Sequence, residues 1–150
     1  MLFRSGIGTY NPSSKFHIHT NSTSANTSLQ ITDANSGFTA SDGFMITKLS
    51  TNDCIIANNE SANLIFQTSA TEQMRITSGG NIGIGTYNPS SKFHIHTSST
   101  TTNQSIQITD ANSGFTASDG FMITKLSTND CIIANNESAN LIFQIGRAHV

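Results

Sequence analysis

The stretch GIGTYNPSSKFHIHT at residues 6–20 returns letter for letter at residues 83–97. The match runs on: laying 6–67 over 83–144 compares 62 positions, and only five differ. They are Asn21 against Ser98, Ser24 against Thr101, Ala25 against Thr102, Thr27 against Gln104 and Leu29 against Ile106, all within one nine-residue window. Tyr10 and Tyr87 set the period at 77 residues. The chain therefore reads as one full repeat, 6–82, followed by most of a second, 83–144. Periodic chains form arrays or shafts, because a single unit cannot bury its apolar face alone and stacks on its neighbours. Such a design is seldom built around a catalytic site.

The two ends stand outside the pattern. Residues 145–150, IGRAHV, resemble the translation of a widely used short-read sequencing adapter, and the opening MLFRS resembles its reverse complement read from a GTG start. Both are expected to be adapter-derived rather than native, which would make the reading frame a fragment of environmental DNA. Residues 1–5 and 145–150 are accordingly set aside from the fold reading.

Composition narrows the class. Charged residues are 11% and the net charge is −2, too little positive charge for an electrostatic nucleic-acid binder. No apolar run approaches the ~18–20 residues that cross a bilayer, so membrane insertion is not expected. Asn, Ser and Thr dominate, with eleven Gly, two Pro and no Trp, a mixture that suits short strands joined by many turns. Cys54 and Cys131 are also 77 residues apart. Equivalent positions in successive units lie too far apart for a disulfide unless the units fold against each other, so each is expected to be a small buried hydrophobe.

Period-two alternation places strands at 15–20, 28–32, 43–49, 54–57, 63–67 and 73–77. Turn chemistry separates them: Asp33 to Gly37, Asp42-Gly43, Asn58-Asn59 and Gly79-Gly80-Asn81. No segment carries a convincing apolar period of about 3.6 residues. The expected fold is all-β, a tandem repeat of short strands, and the five differing positions, between Asn21 and Leu29, fall mostly in a Ser/Thr/Asn-rich stretch that reads as an exposed connector. At 35% hydrophobic content one repeat has too little apolar side chain to offset the entropy of ordering it. Burial against neighbouring repeats and identical chains is therefore expected, and a parallel homotrimer would also cover strand edges.

Glycines 79, 80, 83 and 85 mark a place where the chain turns tightly or lets another backbone approach. Pro12 and Pro89 break the ladder after it, and the whole reads as a structural joint between repeats. GGNIGIG orders its glycines in reverse of the dinucleotide fingerprint and lacks both a P-loop lysine and a following helix, so a phosphate site is not expected. His17 and His19, like His94 and His96, project to one side of a strand, with Phe16 and Ile18 on the other. In a trimer such pairs would place six imidazoles about an axis, enough for an octahedral metal. An apolar face needs burial more than a histidine face needs metal, so Phe16 and Ile18 are expected to face the core. Asp33, Asp42, Asp53, Glu60 and Glu72 lie near turns and read as caps and turn formers. Glycoside cleavage needs carboxylate pairs roughly 5–10 Å apart, which sequence alone does not place, and nothing resembles a nucleophile elbow. No catalytic, cofactor-binding or metal-binding residue is assigned.

MRITSGGNIGIGTYNP at 74–89, followed by Ser90-Ser91-Lys92-Phe93-His94, resembles the MRIT-x-x-G-N-V-G-I-G-T-x-x-P-x-x-K-L-H-V segment of bacteriophage tail fibre and tail spike proteins. It is most similar to those ending in a self-cleaving chaperone domain of the endosialidase type. Residues 62–67 and 72–76 also fit the lead-in of that family. Tyr87, Phe93 and Ile95 depart from its usual residues, and the chaperone domain is not represented. The resemblance implies a shaft segment of a virion tail, a trimer with itself as partner, other tail proteins as neighbours, and a host-surface glycan or protein bound through other regions. It also admits a polysaccharide-degrading tail spike with its active site elsewhere, or a bacterial secreted adhesin.

Overall fold

The computed structural model describes residues 4–138 and 140–142. The expectations placed on residues 1–3, 143–144 and 145–150 fall outside them. Among the described residues every regular element is a strand, and the strands lie in four small sheets, none closed into a barrel. The chain divides into two compact units, Met1–His94 and Ile95–Val150.

In the first unit β1 (Ser5–Ile7) and β2 (Phe16–Ile18) form a parallel pair. Next, β3 (Thr27–Ile31), β4 (Phe44–Lys48) and β5 (Cys54–Asn58) make an antiparallel meander. A third sheet follows, in the order β6 (Leu64–Thr68), β7 (Thr71–Ile76), β8 (Ile82–Ile84) and β9 (Phe93–Ile95). In the second unit β10 (Gln104–Ile108), β11 (Phe121–Lys125) and β12 (Cys131–Asn135) reproduce the β3-β4-β5 register at the 77-residue offset. The row Leu29↔Ile46↔Ile56 becomes Ile106↔Ile123↔Ile133.

Local chemistry sets these elements. The meander bends at Gly43, whose φ of 76° is left-handed and where a Cβ would stand 2.3 Å from the Ile31 carbonyl oxygen, so no side chain fits. Loop 50–52 closes the β4-β5 hairpin with Asn52 at φ 76°, the left-handed position that asparagine tolerates. In loop 33–42 the Asp33 carboxylate accepts the N–H groups of Asn35 and Ser36 at 3.0 and 2.9 Å. Gln30 pins the far end of that loop by donating to the carbonyls of Thr39 and Asp42, both at 2.7 Å.

Several expectations change on folding. The glycine joint, read from sequence as a tight turn or close backbone approach, is itself strand at β8, and β1 forms the equivalent strand in the first repeat. Each is followed by an eight-residue connection, 8–15 and 85–92. For the parallel β1-β2 pair that is shorter than the dozen or so residues such strands usually need between them. At the second joint the loop folds directly under the strand, since a Cβ on Gly83 would stand 2.9 Å from the Thr86 carbonyl oxygen. Cys54 and Cys131 are free and exposed rather than buried, because they sit in end registers of their meanders opposite Lys48 and Lys125, where nothing covers them. Phe16 and Ile18 do not enter a core: Phe16 is 57% exposed while His17 is half-buried.

Between the strands expected at 63–67 and 73–77 the connection is a tight turn at Ser69-Ala70, which the sequence did not single out because it carries no turn signal. Both residues adopt left-handed φ, 49° and 57°, as in the two-residue hairpin turn that favours Asn-Gly. Alanine there is strained by about 1 kcal/mol relative to glycine. Ala70→Gly is thus expected to raise the thermal unfolding midpoint of the whole chain by several degrees, read by circular dichroism.

Candidate functional site

Alternation along β3, β4 and β5 sorts side chains onto two unlike faces. Leu29, Ile31, Phe44, Ile46 and Ile56 share one; Ser28, Gln30, Met45, Thr47, Ile55 and Ala57 share the other. The loop pinned by Gln30 is drawn toward the second, more polar face, where Thr47 is buried and the Ser28 and Thr47 hydroxyls meet at 2.9 Å. The apolar face receives no such cover: Leu29, Ile46 and Ile56 are 40, 46 and 58% exposed. Ile106, Ile123 and Ile133 repeat this in the second unit. In the third sheet Leu64, Ile76 and Ile82 form one apolar row and Phe66, Met74 and Ile84 another, all on one face.

The consequence is that no described hydrophobic residue is buried. The chain exposes 11782 Å², whereas a folded monomer of its 16.0 kDa would expose about 7,400 Å². Contiguous open rows of isoleucine, leucine and phenylalanine on two meanders are the principal candidate surface.

The residues weighed for chemistry are placed as follows. His17 Nδ1 accepts the Ser13 N–H at 3.3 Å, His19 Nε2 meets Asn21 Oδ1 at 2.9 Å, and the two rings lie 5.7 Å apart. His94 Nδ1 accepts the Ser90 N–H at 3.3 Å in the same way. Among the described residues no three His, Cys, Asp or Glu side chains converge to hold a metal ion. Asp42 accepts the Thr39 N–H at 2.7 Å, Asp53 the Thr51 hydroxyl at 2.9 Å and Glu60 the Gly43 N–H at 2.7 Å. These carboxylates hold turns. Hydrogen bonds from Ser36 N–H, then from its hydroxyl and Asn35 N–H, keep the Asp33 carboxyl below its ordinary pKa; Ser113 N–H leads the same effect at Asp110. A cleft of about 460 Å³ beside Asp33, Phe44 and Glu60 recurs beside Asp110, Phe121 and Glu137, its carboxylates occupied by these backbone contacts.

One constellation went unnoticed in the sequence. Arg75 lies opposite Gly83. Its guanidinium grips both oxygens of Glu72, at 2.6 and 2.7 Å, donates to the Tyr87 carbonyl at 2.8 Å and sits 5.5 Å from the centre of the Tyr87 ring. The side chains of Arg75 and Glu72 are only 13% and 9% exposed. Tyr87 supplies the ring over which the cation rests. The joint is thus clamped from the preceding hairpin.

The hydrogen bonds from Arg75 hold the Glu72 carboxyl below the ordinary glutamate pKa. A carboxylate depressed on folding stabilises the fold above its unfolded pKa, and that contribution fades as pH falls through the lower folded value. Glu72→Gln is expected to lower the thermal midpoint at pH 7 and to flatten its decline toward pH 3 relative to the unaltered chain. Parallel melts across that range read both effects, and Asp33 and Asp110 cancel in the comparison.

No protein-family model and no curated protein matches the chain.

Proposed function

We propose that this chain is a shaft segment of a trimeric surface fibre, of the kind found in bacteriophage tail fibres and tail spikes. The observation that carries the reading is the uncovered apolar face repeated on both meanders, Leu29-Ile46-Ile56 and Ile106-Ile123-Ile133. Three parallel copies offer one another the missing cover, and stacked repeats set length without new chemistry. In this role the chain is structural and not an enzyme. It works in a virion tail beside other tail proteins, and contact with a host glycan or protein is made by other parts of the fibre. The near-identity of the two repeats supports it, since duplication lengthens a rod while preserving every contact. A tail spike that cleaves polysaccharide through another domain, or a secreted bacterial adhesin, would use the same segment in the same way.

Sedimentation equilibrium at micromolar concentration is expected to find three chains per particle. Ile46→Asp with Ile123→Asp is expected to abolish the trimer and cooperative melting, because it buries unpaired charge at the centre of both faces. Ser22→Asp, in the exposed connector, is expected to leave assembly intact. A folded, monodisperse monomer for the unaltered chain would refute the reading.

A further inference from the structure

The two repeats differ at five positions, and four of the five meet at one groove. In the first unit the connector that follows β2 and the tip of the β4-β5 hairpin enclose a space of about 460 Å³, tied together where the Ser50 N–H donates to Asn26 Oδ1 at 3.1 Å. The second unit repeats the groove at about 450 Å³, with the Ser127 N–H on Asn103 Oδ1 at 3.0 Å. Ala25 and Thr27 line the first groove where Thr102 and Gln104 line the second. Asn21 Oδ1 meets the ring of the lining residue His19 at 2.9 Å, and the Ser24 hydroxyl meets that of the lining residue Ser22 at 3.2 Å. Differences at 21 and 24 therefore stand directly behind the wall. By contrast, every residue lining the cleft beside Asp33 and Glu60 has an identical counterpart beside Asp110 and Glu137.

The lining is cationic and rich in hydroxyls. Lys48 donates to the Leu49 carbonyl and to Asn52 Oδ1, which leaves one of the three ammonium N–H groups for a ligand. The hydroxyls of Thr23, Thr27 and Ser50 make no hydrogen bond to another described residue. No Asp or Glu is among the residues lining either groove. A space of this size suits a small ligand, and an ammonium ringed by hydroxyl donors with no carboxylate beside it suits an anion, which takes charge-assisted hydrogen bonds from both. We propose that the groove is a binding site for a small phosphate-type oxyanion, and that the differences between the repeats make the first groove the tighter of the two. In the second groove Gln104 replaces the unengaged hydroxyl of Thr27 with an amide already donating to the Asn103 carbonyl at 2.7 Å. Thr102 adds a hydroxyl, but one that donates to Ser99 at 2.8 Å. Each groove lies within one unit of one chain, so the site does not rest on threefold assembly.

The test titrates inorganic phosphate into the full chain at constant ionic strength, followed by the amide signals of Thr23 and Thr100, one in each groove. Both are expected to shift and saturate, Thr23 at about tenfold lower phosphate, the effect of one more hydrogen bond to a charged group. Lys48→Met is expected to abolish the Thr23 response and to leave that of Thr100. Gln104→Thr installs the residue with which the first repeat already folds, and is expected to bring the Thr100 midpoint to that of Thr23. Glycerol phosphate in place of phosphate reports the source of the anion: tighter saturation marks a group carried on a larger molecule, and equal or weaker saturation marks the free ion. Absence of saturable shifts at both grooves overturns the proposal. So do equal midpoints in the unaltered chain, a Thr23 response that survives Lys48→Met, or a Thr100 midpoint that Gln104→Thr leaves in place. Sedimentation of the same samples reports the oligomer separately, so the two readings stand or fall independently.

Discussion

The constraint on which this molecule depends is that each three-stranded meander gathers most of its branched apolar side chains on one face and, among the described residues, has nothing to lay over it. A three-stranded meander is too narrow to curl into a barrel, and the chain supplies no helix among its described residues to act as a lid. The loop that might have served is drawn by Gln30 and Gln107 toward the more polar face instead. What remains is a chain well hydrogen-bonded within each sheet and poor in buried hydrocarbon. In-sheet hydrogen bonds are modest net contributors in water, whereas removing apolar surface from water is the dominant favourable term in folding and association. On the proposed trimer, folding and association would be one event.

The joint is built on a different principle. There the sequence alternates isoleucine with glycine, so one side of the strand is apolar and the other is bare backbone. The bare side lets the following loop tuck beneath Gly83 and lets Arg75 lie opposite it on the way to Tyr87. A parallel connection shorter than usual becomes feasible because no Cβ occupies the space into which the loop turns. The clamp from the preceding hairpin then ties the end of one repeat to the start of the next. Comparison of the two joints shows what that hairpin does: with it Gly83 is buried, and without it Gly6 is exposed.

The strands of the meanders were legible because each writes its alternation in plain form, as in Phe44-Met45-Ile46-Thr47-Lys48. The expected and observed limits there differ by a residue or so. The joint strands were obscured because glycine, the residue that lets backbones approach, is also the commonest sign of a turn. Ser69-Ala70 was invisible for the opposite reason: its left-handed backbone is imposed by the pairing of β6 with β7, against the preference of both residues. The Arg75 clamp could have been suspected from Glu72 three residues before Arg75, but its reach to Tyr87 depends on β8 folding back beside β7.

The sequence by itself determined the all-β class, the 77-residue repeat, the exposed connector that holds Asn21, Ser24 and Ala25, and the turn-forming role of Asp33, Asp42, Asp53 and Glu60, whereas Thr27 and Leu29 belong to β3 and Glu72 belongs to β7. These follow from local alternation and local hydrogen bonding, which act over a few residues and need no knowledge of what lies across the fold. Only the tertiary structure decided which face of each sheet is covered, that Cys54 and Cys131 lie open, that the glycine joint is strand, and that Arg75 binds it. Those outcomes turn on register and on the path of loops between distant strands. A one-residue slip would send every side chain to the other face, and nothing in the alternation alone says which face the loop will meet.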